Sequence, residues 1–242
     1  MVIQKFFKSL VDFIFPPQCY VCKKILKDED GLCFECLSKI NFISKPMCEC
    51  CGYPFEFKIS SSKYDLLCPR CLMHTHKFDK CVSVVRYDET SKKIILPFKH
   101  GDKTQLAKFM AKLMCVSGKK LIADSDVIIP VPIHFTRMLK RKYNQASLLC
   151  NFIARQYNKK VLYSTLLRNV ATKSQGHMSL FQRKHNVSGA FIVRHPEQIK
   201  GKSVLLIDDV FTTGSTVDEC AKVLRKNGAK KIFVLTFARV AK

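Results

Sequence analysis

The sequence predicts an α/β domain, a mostly parallel sheet flanked by helices, with a small cysteine-rich module ahead of it. Two observations carry this. Ten of the 13 cysteines lie between Cys19 and Cys81, and only Cys115, Cys150 and Cys220 follow in the rest of the 242 residues. Beyond that boundary, Val127-Ile128-Ile129 and Val204-Leu205-Leu206-Ile207 are short continuous apolar runs, the pattern of strands buried on both faces of a parallel sheet rather than of half-exposed strands. The expected organisation is a helix over 1–15, a metal-held module over 16–78 and the α/β domain over 79–242.

The first segment places Ile3, Phe6, Phe7, Leu10, Phe13 and Ile14 at helical spacing, with Lys5 and Lys8 between them, and stops at Pro16-Pro17. It is too short and too interrupted to span a bilayer, and no other stretch offers about 18 apolar residues in a row. No stable membrane insertion is expected. An apolar stripe of this kind suits either packing on its own domain or lying on a membrane surface, and we adopt the packed helix. The start does not read as a secretory signal, so a cytoplasmic location is expected and a disulfide framework is not.

Lysine and arginine total 42 against 19 acidic residues, a formal charge of +23. Eight metal-bound thiolates and two divalent ions would lower that only slightly. Such a field attracts polyanions, either nucleic acid or a multiply phosphorylated metabolite.

In the module, four Cys-x-x-Cys knuckles follow one another: Cys19/Cys22, Cys33/Cys36, Cys48/Cys51 and Cys68/Cys71. Two knuckles complete the four-sulfur tetrahedron of structural zinc and leave no open position for chemistry. Sequential pairing gives two successive ribbon-like sites, although spacing alone leaves crossed pairing open. Cys50 and Cys81 are then spare, and His74 and His76 are read as solvated rather than as ligands. A module of this size cannot bury a sufficient core, so two zinc ions must supply much of its folding free energy.

Downstream, the run Val204 to Ile207 ends in Asp208 and Asp209, two carboxylates at the end of a strand where open α/β sheets bind ligands. Phe211-Thr212-Thr213-Gly214-Ser215-Thr216 then leads into a helix with an apolar face of Val217, Cys220, Ala221 and Leu224, closed by Asn227-Gly228. Amides at a helix start together with these hydroxyls make a cradle for one phosphate. Upstream, Val127 to Pro132 is a strand broken at its prolines. Arg137, Lys140, Arg141 and Lys142 follow it and precede a helix running from Tyr143-Asn144-Gln145-Ala146 to Tyr157. A cationic turn at a helix start suits pyrophosphate. The long polar stretch from Arg168 to Phe191 suits a lid, and Lys99-His100-Gly101-Asp102 reads as a basic surface turn.

The strand, acidic pair and Thr-Thr-Gly-Ser-Thr loop resemble the fingerprint of the type I phosphoribosyltransferases. The resemblance implies that Asp208 and Asp209, the catalytic pair, meet the ribose hydroxyls of phosphoribosyl pyrophosphate, with magnesium. It also implies that Thr212, Thr213, Gly214, Ser215 and Thr216 hold its 5-phosphate, that Val210 and Phe211 belong to the same ligand-binding segment, and that Arg141 and Lys142 face the pyrophosphate. Adding Phe-Pro-Pro-x-Cys, the four knuckles, Pro-Val-Pro, Arg-Lys-Tyr-Asn-Gln-Ala and Gln175-x4-Leu180-x2-Arg183-x2-Asn186-Val187, nearly the whole chain is similar to the ComF family. That family implies a double zinc ribbon ahead of a type I phosphoribosyltransferase-like domain, and a role with the competence machinery in handling single-stranded DNA. Two functions then stand side by side. One is a phosphoribosyltransferase of unknown acceptor. The other is a non-catalytic sensor of phosphoribosyl pyrophosphate that grips DNA, with Phe34, Phe42, Tyr53, Phe55 and Phe57 either stacking on bases or forming the ribbons' small cores.

Overall fold

The computed structural model describes residues 16–27, 31–56, 66–100, 103–134, 138, 143–169 and 189–241. The expected helix over 1–15, Phe57, the Gly101-Asp102 turn, Arg137, Lys140, Arg141, Lys142 and the stretch from Thr172 to Val187 lie outside these residues.

The domain is built on five parallel strands in the order β1-β7-β6-β2-β3, where β1 is Lys80–Arg86, β2 Val127–Pro130, β3 Lys160–Val161, β6 Ser203–Phe211 and β7 Lys231–Arg239. Two short strands, β4 (Leu166–Arg168) and β5 (Phe191–Val193), form a separate antiparallel pair at the two ends of the polar stretch. Each parallel step needs a crossover, and helices supply them. The principal ones are α3 (Glu89–His100), α4 (Leu106–Ser117), α6 (Gln145–Tyr157) and α7 (Ser215–Lys226). The short helices α1 (Phe34–Leu37) and α2 (Pro69–Met73) belong to the cysteine module, and α5 is Lys119–Ala123.

Alternation along the strands sorts their side chains onto two faces. Leu205, Ile207, Phe233 and Leu235 pack with Ile94, Ile95 and Phe98 of α3, Met110 and Met114 of α4, and Leu149 and Ile153 of α6. Val204, Leu206, Ile232 and Val234 pack instead with Val217, Cys220, Ala221 and Leu224 of α7, the face expected from its spacing, and with Cys48, Cys51, Cys68 and Cys71. The second half of the cysteine module is therefore part of the domain's own core. Each fully buried Leu or Ile contributes about 2 kcal/mol through area removed from water.

This topology creates a switch point. From β6 the chain leaves through α7 on one face to β7, and from the adjacent β2 it leaves through α6 on the other face to β3. Such a divergence opens a crevice at the carboxyl ends of the two strands, where open α/β sheets take their ligands. The exposed edge of β1 is covered by the chain linking the cysteine clusters: Ile43 N donates to Val84 O (2.8 Å) and Arg86 N to Asn41 O (2.8 Å). Among the described residues, no helix is long and apolar enough to cross a membrane.

Candidate functional site

Two tetracysteine clusters are present, and they pair the knuckles sequentially: Cys19, Cys22, Cys33 and Cys36 in one, Cys48, Cys51, Cys68 and Cys71 in the other, with the ligand atoms of each within 4.8 Å of one another. Cys22 Sγ lies 3.6 Å from Cys33 Sγ, and Cys51 Sγ 3.6 Å from Cys68 Sγ. Zinc–sulfur bonds of about 2.3 Å in a tetrahedron require sulfurs about 3.8 Å apart, so the residues fit structural zinc. All 13 cysteines are free of disulfides.

The surroundings act on the ligand thiols in opposite directions. A hydrogen bond from the Cys51 side chain, with the amides of Cys51, Cys68 and Cys50, outweighs burial and holds the Cys48 thiol down at about 4. At Cys19, burial acts against ionisation, but the amides of Cys22, Cys33 and Val21 prevail and lower it to about 6. Burial pushes Cys36 up to about 12. Metal binding at either cluster requires the ligand thiols to release their protons.

Cys50 and Cys81 stay outside the clusters, as expected. They have a different use: Cys81 N donates to Cys50 O (2.7 Å), which ties the third knuckle to β1. This approach is close enough that a Cβ on Gly52, whose φ is +72°, would lie 2.7 Å from Cys81 O. His76 departs from expectation. Its side chain is 5% exposed rather than solvated, bonds Asp218 Oδ2 through Nδ1 (2.7 Å) and stacks on Phe78 at 4.5 Å. Asp218 sits in the first turn of α7, a partner that local sequence does not indicate. His74 is exposed.

At the switch point, the strand carrying Asp208 and Asp209 runs further than its apolar stretch, because β6 keeps its ladder with β7 as far as the Phe211–Arg239 pair. Gly214 follows with φ +81° and caps α7. In the loop, Thr213 Oγ1 and Ser215 Oγ are 2.8 Å apart, and Ser215 N lies 3.3 Å from Thr213 Oγ1. Two hydroxyls therefore lie beside the first amide of a 12-residue helix, an end whose free N–H groups and dipole favour an anion. Phe211 turns the other way, buried against Phe78, His76 and Arg239. A Cβ on Gly214 would lie 2.6 Å from its Cζ, so the glycine is required both by its dihedral and by this ring.

A cation that the sequence left on a surface turn completes the site. Lys99, in the last turn of α3, places Nζ 3.1 Å from Asp209 Oδ1, with the two side chains 21% and 10% exposed. Tyr143 and Gln145 of the Tyr-Asn-Gln-Ala motif hold it there, and Asn144 between them binds the end of β2. Tyr143 Oη donates to Phe98 O (3.1 Å), Gln145 Nε2 to Lys99 O (3.3 Å), and Asn144 Nδ2 to Val131 O (3.1 Å), while Asn144 Oδ1 caps α6 by accepting from Ala146 N (3.0 Å). The motif thus pins the end of α3 and the end of β2 to one helix start. Arg141 and Lys142 immediately precede it in the chain, outside the described residues.

Comparison with known proteins agrees with this architecture. Residues 10–72 match the double zinc ribbon domain and residues 149–242 the phosphoribosyl transferase domain. The chain is 31% identical over 229 residues to competence protein F of Haemophilus influenzae, covering 92% of this chain and 96% of the relative. It is 30% identical over 233 residues to the DNA utilization protein YhgH of Shigella flexneri, covering 93% and 97%. Competence protein ComFC of Bacillus subtilis is 25% identical over 214 residues, covering 84% and 82%. With a paired tetracysteine module built into a phosphoribosyltransferase-type sheet along nearly its full length, the chain belongs to the ComF family of competence and DNA utilization proteins.

Proposed function

We propose that this protein binds phosphoribosyl pyrophosphate with magnesium at the carboxyl end of β6, and works on single-stranded DNA in the cytoplasm during natural transformation. The observation that carries the first half is the juxtaposition, at a sheet switch point, of the Asp208/Asp209 pair with a hydroxyl-rich loop capped by a left-handed Gly214. In this reading the aspartates accept the ribose hydroxyls. The amides of α7 and the hydroxyls of Thr212, Thr213, Ser215 and Thr216 receive the 5-phosphate, and Arg141 and Lys142 face the pyrophosphate. Magnesium, when bound with the ligand, neutralises pyrophosphate charge. Zinc fills the two cysteine clusters in a structural role.

Support for the second half comes from the net charge of +23, from Phe34, 84% exposed on the first ribbon, and from the names of the relatives, a competence protein and a DNA utilization protein. An exposed aromatic on a strongly basic chain suits base stacking. By contrast, Tyr53 and Phe55 pack edge to face at 6.4 Å and serve a core.

A pyrophosphate-release assay with phosphoribosyl pyrophosphate, magnesium and a panel of nucleobases and single-stranded oligonucleotides separates the two modes. Release that disappears in Asp208→Asn/Asp209→Asn identifies a transferase and its acceptor class. Salt-sensitive oligonucleotide binding without release identifies the sensing, DNA-gripping mode. Neither release nor DNA binding by the folded, zinc-loaded protein overturns the proposal.

A further inference from the structure

β7 ends in Arg239, whose side chain lies in the core at 3% exposure. A guanidinium taken out of water is costly unless its charge and donors are answered. Here Nη1 donates to Cys51 O and Nη2 to Cys51 Sγ at 3.3 Å, while the group lies 5.4 Å from the ring of Tyr53 and 4.5 Å from that of Phe211. Four thiolates around one divalent ion carry a net negative charge, so a metal-loaded second cluster is the counter-charge that Arg239 faces. On its other side is Phe211, the ring that touches Gly214 and sets how far the loop can settle toward the core. A continuous line of contact therefore runs from Cys51 through Arg239 and Phe211 to the loop.

A second connection runs beside it. Asp218, in the first turn of the helix that the loop enters, accepts from Lys77 N (2.8 Å) and bonds His76, both a few residues past the last knuckle. The first cluster has no such route among the described residues. Its cysteines pack with Val21, Leu26 and Leu32, and Tyr20 from the same knuckle meets Phe109 of α4.

We propose that Arg239 is a positioning residue that couples the second cysteine cluster, and not the first, to the Thr212–Thr216 loop, so that zinc in that cluster raises affinity for the phosphorylated ligand. The inference rests on the reading of that loop as the phosphate site. Binding linkage is reciprocal: if zinc in the second cluster tightens ligand, the ligand must tighten that zinc by the same factor. The test is an equilibrium competition for zinc between the full protein and a chromogenic chelator, with and without phosphoribosyl pyrophosphate. Magnesium is kept in excess so that the ligand does not itself sequester zinc.

The expected result is that saturating ligand tightens one zinc equivalent about tenfold and leaves the other unchanged. Arg239→Gln should retain two zinc equivalents, bind ligand about tenfold more weakly and lose the ligand's effect on zinc, with Arg239→Lys failing to restore it because an ammonium lacks the planar fork. Cys36→Ser, which breaks the first cluster, should leave ligand affinity unchanged. If an Arg239 variant does not fold, the wild-type competition decides alone. Ligand binding seen by calorimetry with both zinc affinities unmoved overturns the coupling. Calorimetry that shows no ligand binding to the wild type overturns the phosphate-site reading and the coupling with it.

Discussion

Replacing Lys99 by Met tests the architecture of the site without touching the loop. The substitution keeps most of the unbranched stem and removes only the ammonium that lies 3.1 Å from Asp209 Oδ1. At an effective dielectric of about 20, a pair at that distance has a gross attraction of about 5 kcal/mol. Desolvation of the two charges offsets part of it, and the 21% exposure of Lys99 lets water screen more. A net destabilisation of about 2 kcal/mol is expected, much of it the cost of leaving Asp209 buried without its cation. Urea unfolding of the zinc-loaded protein should show the midpoint about 1 M lower, taking a slope of about 2 kcal/mol per molar. In Lys99→Met/Asp209→Asn the loss should be smaller than the sum of the single losses by at least about 1 kcal/mol. Additive losses, or an unchanged midpoint for Lys99→Met, would refute the argument that this pair organises the site.

Gly214→Ala places a methyl in the left-handed region, at about 1 to 2 kcal/mol, and 2.6 Å from the buried Phe211 ring. Zinc content should be retained while ligand affinity by calorimetry falls at least about tenfold. Asp88 caps α3, accepting from the amides of Thr90 (3.0 Å) and Ser91 (2.9 Å), so Asp88→Ala should cost about 1 kcal/mol in thermal or urea unfolding. Burial raises the Asp88 carboxyl, but the Ser91 amide, Asn41 and the other donors prevail and hold it below its ordinary value. A depressed folded value means that the cap's contribution is complete above the unfolded carboxylate range and is lost as pH falls through the folded value. The gap between wild type and Asp88→Ala should therefore be constant near neutral pH and close in acid.

Local pattern explains what was legible in the sequence. The strand at Val204–Ile207, the buried face of α7, the end of α6 at Tyr157 and the four knuckles are each written within a dozen residues, where periodicity, capping and ligand spacing act. Pairing of the knuckles was open because spacing satisfies both arrangements, and only the packing of the second cluster against β6 and β7 decides it. The residues that sequence reasoning missed have distant partners. Ser83 interrupts the apolar run of β1, and its hydroxyl is satisfied by Thr236 (2.7 Å) on β7, a neighbour in the sheet but not in the chain. Lys99 and Arg239 look like any other of the 42 basic residues until the fold sets one against Asp209 and the other against Cys51. The one local signal is at Arg239, a cation closing the run Ile232 to Ala238, apolar but for Thr236, where an unpaired charge would be expensive.

The account's central claim, that the end of β6 is a phosphoribosyl pyrophosphate site, is tested most directly by calorimetric titration of the zinc-loaded protein with that ligand and magnesium. One binding site per chain, abolished in Asp208→Asn/Asp209→Asn while that variant stays folded and keeps its zinc, is the predicted result. Absence of binding by the folded, zinc-loaded wild type, or equal affinity in the double variant, would contradict it.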